Sequence, residues 1–144
     1  RGKPFALTFL YTRCTNRNRC PLVAKRMGEL QTLADAAGLG DRVGIVVVTY
    51  DPEFDTPEVL KKYGERRGLR FTPNVRMLRP DPAAKDDFFD RLGVTVNYGP
   101  EGVNIHGLQL FLLDAGGRFV RRYQSVIWDN ADVLADLKRL AEER

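Results

Sequence analysis

Two runs of β-branched and aromatic residues, 5–11 (FALTFLY) and 43–50 (VGIVVVTY), are apolar almost without interruption. A half-exposed strand alternates apolar with polar side chains, so a run without alternation reads as a strand covered on both faces, as in parallel sheets. Between them, Pro21 opens a segment in which Val23, Met27, Leu30, Ala34 and Ala37 recur at spacings of four and three. That is an amphipathic helix with proline in its first turn and Gly38 near its stop. Strand, helix and strand in this order predict a parallel βαβ unit.

The rest of the chain extends this half. Asp51-Pro52 ends the second strand, and Thr56 caps a helix with Pro57 at its first position and Glu58 beside it, running to about Arg67 with Gly68 as its end. Residues 75–78 form a short strand and 82–92 a short helix carrying Phe88, Phe89 and Leu92, while the Gly, Pro and Asn content of 93–105 reads as an irregular loop ending at His106. Strands at 108–113 and 118–123 are joined by Asp114-Ala115-Gly116-Gly117, a hairpin signal. A last helix starts near Asn130, with Val133, Leu134, Leu137, Leu140 and Ala141 on one face. The order β-α-β-α-(β)-α-β-β-α is an α/β, thioredoxin-like pattern, a central mixed sheet with flanking helices.

At 144 residues the whole chain, 1–144, is expected to be one domain, and 43% hydrophobic with 29% charged residues excludes disordered, collagen-like and disulfide-scaffold classes. No apolar stretch approaches 18 residues, so no membrane-spanning segment is expected in this chain. It begins with Arg1 rather than Met, which leaves room for an upstream signal or membrane anchor. The net charge of +4 would permit an anionic partner, but the basic residues are interleaved with Asp and Glu and no nucleic-acid motif is present. A soluble basic surface and no nucleic-acid partner are expected.

The only cysteines, Cys14 and Cys20, lie between the first strand and the first helix. Six residues turn a helix through about 240°, so the pair cannot share one helical face. With Pro21 at the first helical position, Cys20 becomes the cap and Cys14 stays at the strand end, their sulfurs converging across 15–19. Partial positive charge at the helix terminus, with Arg13, Arg17, Arg19, Lys25 and Arg26 nearby, predicts that Cys20 is the more acidic thiol. A purely structural disulfide over so short a loop would stabilise by only about 2.4 kcal/mol, which favours redox or metal chemistry instead. His106, the single histidine, immediately precedes a strand whose start faces the cysteines in a thioredoxin-like arrangement. Two thiolates and an imidazole would suit copper in either oxidation state, and also zinc.

Phe9-Leu10-Tyr11-Thr12-Arg13-Cys14, Cys20-Pro21, the stretch Asp51-Pro52-Glu53-Phe54-Asp55-Thr56-Pro57-Glu58-Val59-Leu60, and His106 followed by Leu112-Leu113-Asp114 together resemble the Sco/SenC family of thioredoxin-like copper-delivery proteins of respiratory oxidase assembly. The resemblance covers nearly the whole chain from residues 1–4. It implies a copper ion, Cu(I) or Cu(II), held by Cys14, Cys20 and His106, with Asp51 as the acidic residue beside the site. It also implies delivery to a copper-accepting oxidase subunit or another copper carrier, in a periplasmic or otherwise extracytoplasmic setting with an anchor upstream. One feature departs from the pattern: the family usually places three residues between its cysteines, and this chain has five. Asn16 and Asn18 in that loop can bond back to nearby backbone, and Arg17 and Arg19 are expected to point to solvent or to an acidic partner.

Two other functions use the same residues. In a thiol-disulfide reductase Cys14 and Cys20 would be a redox-active catalytic pair, with His106 incidental or a proton acceptor. In a thiol peroxidase Cys14 would attack peroxide and Cys20 resolve it, although Leu7 and Tyr11 stand where that family carries Pro and Thr or Ser.

Overall fold

In a computed structural model of the protein the described residues are 2–99, 102–106, 108–124 and 128–143, with backbone alone at 102 and 104–106. Strand β1 (Phe5–Leu10) is the middle of a five-stranded sheet. On one side it pairs in parallel with β2 (Gly44–Thr49), Phe5 opposite Gly44 and Leu10 opposite Thr49, and β2 pairs in parallel with β3 (Val75–Leu78). On the other side it runs antiparallel to β6 (Gln109–Leu113), which is followed by the antiparallel edge strand β7 (Phe119–Gln124). The mixed sheet and the parallel βαβ half are as the sequence predicts.

Both faces of β1 and β2 are buried, which is why neither run alternates. Ala6, Leu10, Ile45, Val47, Leu110 and Leu112 meet Val23, Met27 and Leu30 of helix α1 (Cys20–Ala36) and Val133, Leu137 and Leu140 of helix α4 (Asn130–Glu142). The opposite face carries Leu7, Phe9, Val48, Tyr50, Phe111 and Leu113, capped by Phe89 of helix α3 (Lys85–Arg91). Phe9 stacks on Tyr50 at 5.6 Å and meets Phe89 and Phe111 edge-on at 6.0 and 6.1 Å, arrangements that suit the ring quadrupoles. Helix α2 (Pro57–Glu65) begins at Thr56, whose hydroxyl accepts from the Val59 amide at 3.3 Å. Gly68, at φ +91°, turns the chain away after it, the left-handed conformation that glycine adopts without strain.

Three expectations are corrected. The segment read as an irregular loop contains a hairpin, β4 (Val96–Gly99) with β5 (Gly102–His106), separate from the main sheet. Gly, Asn and Pro obscured it, yet Val94 and Val103 are buried on the aromatic face and supply the reason it folds there. The expected helix over 82–92 is a 3₁₀ turn, Pro82–Ala84, joined to the shorter α3. Asp81 caps that turn by accepting from the Ala83 amide at 3.0 Å. Finally, helix α1 has Arg19 as its cap, Cys20 as its first residue and Pro21 as its second.

Candidate metal centre

The chain leaves β1 at Leu10 and folds back on itself, the Cys14 amide donating to the Tyr11 carbonyl at 3.3 Å. Asn16 then organises the five-residue loop: its side-chain oxygen accepts from the Asn18 amide at 3.0 Å, and its carbonyl accepts from Arg19 N at 3.0 Å. The Cys14 thiol points to the same carbonyl, 3.9 Å away. Arg19 is half-buried at the cap, not directed outward, whereas Arg17 is exposed as expected.

What fixes this loop to the sheet is the turn that follows β2. Asp55, fully buried, accepts from the Thr12 amide at 3.1 Å, from the Thr12 hydroxyl, and from the Thr49 hydroxyl at 2.5 Å. Asp51, also buried, accepts from Arg13 Nε at 2.8 Å, and the Arg13 guanidinium lies 4.5 Å above the ring of Phe54. The carbonyl of Asp51 takes the Asp55 amide at 2.8 Å, so the two carboxylates are held in one turn. The Asp-Pro-Glu-Phe-Asp-Thr-Pro sequence thereby does two things. It caps α2 through Thr56, and it clamps the two residues before Cys14. Sequence reasoning named Asp51 but missed Asp55, because an Asp ahead of a capped helix reads as ordinary turn polarity and its burial depends on a contact 43 residues away.

Both cysteines are free and buried, and their thiols lie within hydrogen-bonding reach of each other. Tyr11 bonds to Cys14, and its phenol is pushed up to about 12 by burial and by the two thiols beside it. Burial pushes the Cys20 thiol up as well, against a backbone hydrogen bond from Tyr11 that acts in the opposite sense. The expectation of an acidic Cys20 is therefore wrong. Removing the thiolate from water costs more than the helix terminus and the neighbouring cations return.

His106 closes β5, opposite Val96; its side chain lies outside the described residues. Three residues later β6 begins at Gln109, whose carbonyl accepts from Thr8 Oγ1 at 2.7 Å. Since β6 runs antiparallel to β1, with Thr8 opposite Leu110, the chain enters β6 at the end of the sheet where the cysteine loop leaves. Among the described residues no group of three or more His, Cys, Asp or Glu side chains is set to hold a metal ion. The pair that is brought together is Cys14 and Cys20.

The arrangement can be set beside known proteins. A model of the SCO1/SenC family matches residues 1–142. The chain belongs to the SCO1/SenC family. It is similar to the SCO1 protein homolog of Bacillus subtilis (strain 168), at 25% identity over 96% of this chain and 71% of the relative. A solved SCO1/SenC family lipoprotein from Bacillus anthracis str. Ames superposes with a TM-score of 0.85, at 29% identity, covering 98% of this chain and 83% of that one. ScoI of Bradyrhizobium japonicum, solved with copper bound, gives a TM-score of 0.75 at 28% identity, covering 97% of this chain and 86% of the other. The thioredoxin-like mixed sheet is thus the fold this SCO1/SenC chain shares with its solved relatives.

Proposed function

We propose that this SCO1/SenC protein, folded as a single domain over 1–144, is a copper carrier whose cargo is held by the thiolates of Cys14 and Cys20 and the imidazole of His106. The observation that carries the reading is the pair of free, buried thiols in contact at the end of β1, a soft donor set suited to copper. The copper-bound ScoI of Bradyrhizobium japonicum supports it at the level of the family. The fit is chemical as well as geometric. Burial favours the protonated Cys20 thiol, so an arriving Cu(I) displaces that proton as the thiolate forms and leaves, with the Cys14 thiolate, a bis-thiolate of net charge −1. Uptake therefore strengthens as pH rises. The clamp through Asp55 and Asp51 holds Thr12 and Arg13 in place, so one thiolate is positioned before the metal arrives.

The acceptor is proposed to be a copper-receiving oxidase subunit or another copper carrier, in the periplasm or another extracytoplasmic compartment. The Bacillus anthracis relative is a lipoprotein, which supports a membrane-anchored setting. Among the described residues no helix is long and apolar enough to cross a membrane. Contact between two free thiols also favours a second reading, a thiol-disulfide reductase in which Cys14 and Cys20 cycle between dithiol and disulfide. Anaerobic titration of reduced protein with Cu(I) separates the two. The carrier reading expects one copper per chain, no binding in Cys14→Ser or Cys20→Ser, and weakened binding in His106→Ala. Unaltered disulfide exchange alongside no copper uptake by the unmodified protein would leave only the reductase.

A further inference from the structure

Between the first turns of α1 and the end of α2, beside the cysteine loop, lies a notch of roughly 490 Å³ lined by Arg17, Pro21, Leu22, Lys25, Arg66 and Arg67. Four of the six lining residues are cationic and none is acidic. Among the described residues none of the four forms an ion pair, although Glu29 follows Lys25 by one turn and Glu65 adjoins Arg66. Arg66 and Arg67 follow a helix C-terminus, where positive charge is favourable. Arg17 and Lys25 flank the N-terminus of α1, whose first turn carries no acidic residue, so their charge adds to the positive end of that helix. Such crowding of like charge is unfavourable for the isolated chain and becomes favourable when an anion arrives.

The notch is also built, not assembled on demand. A Cβ on Gly28 would stand 2.9 Å from the Arg67 carbonyl, so α1 and the turn that follows α2 meet here backbone to backbone. Arg67 is further held by donating to the Tyr63 carbonyl at 3.1 Å, with its guanidinium 3.6 Å over the Tyr63 ring. The remaining guanidinium edge is held ready, which lowers the ordering cost of binding. Pro21 and Leu22 give the floor an apolar patch between the cations.

We propose that this notch receives an acidic segment of a partner polypeptide, with carboxylates on Arg17, Lys25, Arg66 and Arg67 and an apolar side chain against Pro21 and Leu22. The concave shape and apolar floor favour a peptide over a membrane surface, which needs cations spread over a convex face. The carrier reading supplies the occasion, since Cys20 immediately precedes Pro21 and a docked partner would lie beside the metal, but the docking itself does not need copper. The test is an NMR titration of reduced, metal-free protein with a synthetic peptide alternating Glu and Leu, a matching Lys and Leu peptide, and phosphatidylserine vesicles. The acidic peptide should shift the amides of Leu22, Lys25, Arg66 and Arg67, and its affinity should fall about tenfold between low and physiological salt. The double reversal Lys25→Glu with Arg66→Glu should weaken it by at least about tenfold while leaving Cu(I) titration unchanged. Shifts that map elsewhere, equal binding of the basic peptide, an unaffected double variant, or vesicles engaging these cations where the peptide does not would each overturn the proposal. Peptide binding without copper uptake would sink the carrier reading alone.

Discussion

Cys14 and Cys20 sit on a loop bolted to the central sheet, whereas His106 arrives on a two-stranded hairpin that lies outside it. The first region is fixed by a fully buried carboxylate with three donors and by an ion pair between the exposed Arg13 and the buried Asp51. The second is held by Val94 and Val103 on the aromatic face and by the Tyr98 hydroxyl, which donates to the Tyr50 carbonyl at 2.7 Å. One half of the proposed site is preorganised by polar groups that would be costly to leave unpaired. Among the described residues, the other is attached by apolar contacts of Val94, Val96, Tyr98 and Val103 and by the Tyr98 hydrogen bond. The stability of the thiol pair and the presentation of the histidine should therefore respond to different substitutions.

The largest expected effect falls on the clamp. Asp55→Ala strands the Thr12 amide and the Thr49 hydroxyl, which should cost about 3 kcal/mol in denaturant unfolding. Copper affinity should fall by about ten- to a hundredfold, as for supporting residues around other metal sites, although Asp55 touches neither thiol. Normal affinity in a folded Asp55→Ala protein would show that the loop holds its shape without the clamp.

Next in size is the reactivity of Cys20. With its thiol pushed up by burial, metal-free protein at neutral pH should alkylate at Cys20 at least about tenfold more slowly than an unstructured thiol, accelerating as pH rises past the ordinary value of 9.0. The buried neutral thiol also makes a stability contribution that is present below that value and fades at higher pH. Peptide mapping of labelled protein across the pH range checks this, and rapid labelling of Cys20 at neutral pH would restore the acidic helix-cap thiol.

On the hairpin side, Tyr98→Phe removes one hydrogen bond while keeping the ring that Lys85 covers at 4.1 Å. It should cost about 1 kcal/mol and raise amide exchange in β4 and β5 while leaving the cysteine loop unchanged. Exchange rising equally in both regions would mean that they are one cooperative unit.

The central βαβ half was legible because two unalternating runs and one amphipathic stretch leave few alternatives, and the cysteines were legible because their place between strand and helix needs no tertiary knowledge. The hairpin was not legible: among the described residues Val103 within it and Val94 just before it are the ones buried on the aromatic face, too few to stand out against glycine, asparagine and proline. Cys20 was misjudged for a related reason. Helix-end charge can be read from local sequence, but the burial that overrides it is set by the tertiary packing of the core around Cys20. Asp55 was hidden in the same way, its role set by Thr12 on another loop.

The smallest effect lies far from the site, at the turn between β6 and β7. Asp114 accepts from the amides of Gly116 and Arg118 at 2.9 and 3.0 Å and from Arg118 Nε at 2.8 Å, which holds its carboxyl below the usual value of 3.8. A lowered carboxyl contributes stability that is present above that value and is lost as pH falls through the still lower folded-state value. Asp114→Asn should therefore slightly lower the melting temperature at neutral pH, with the difference from the unmodified protein shrinking below about pH 4. Copper binding should be unaffected.

X-ray absorption of the reduced protein loaded with one equivalent of Cu(I) tests the central claim most directly. A shell of two sulfurs with one imidazole nitrogen is predicted, with the nitrogen lost in His106→Ala and the sulfurs retained. A copper environment without sulfur, or one unchanged by His106→Ala, would contradict the proposed ligand set.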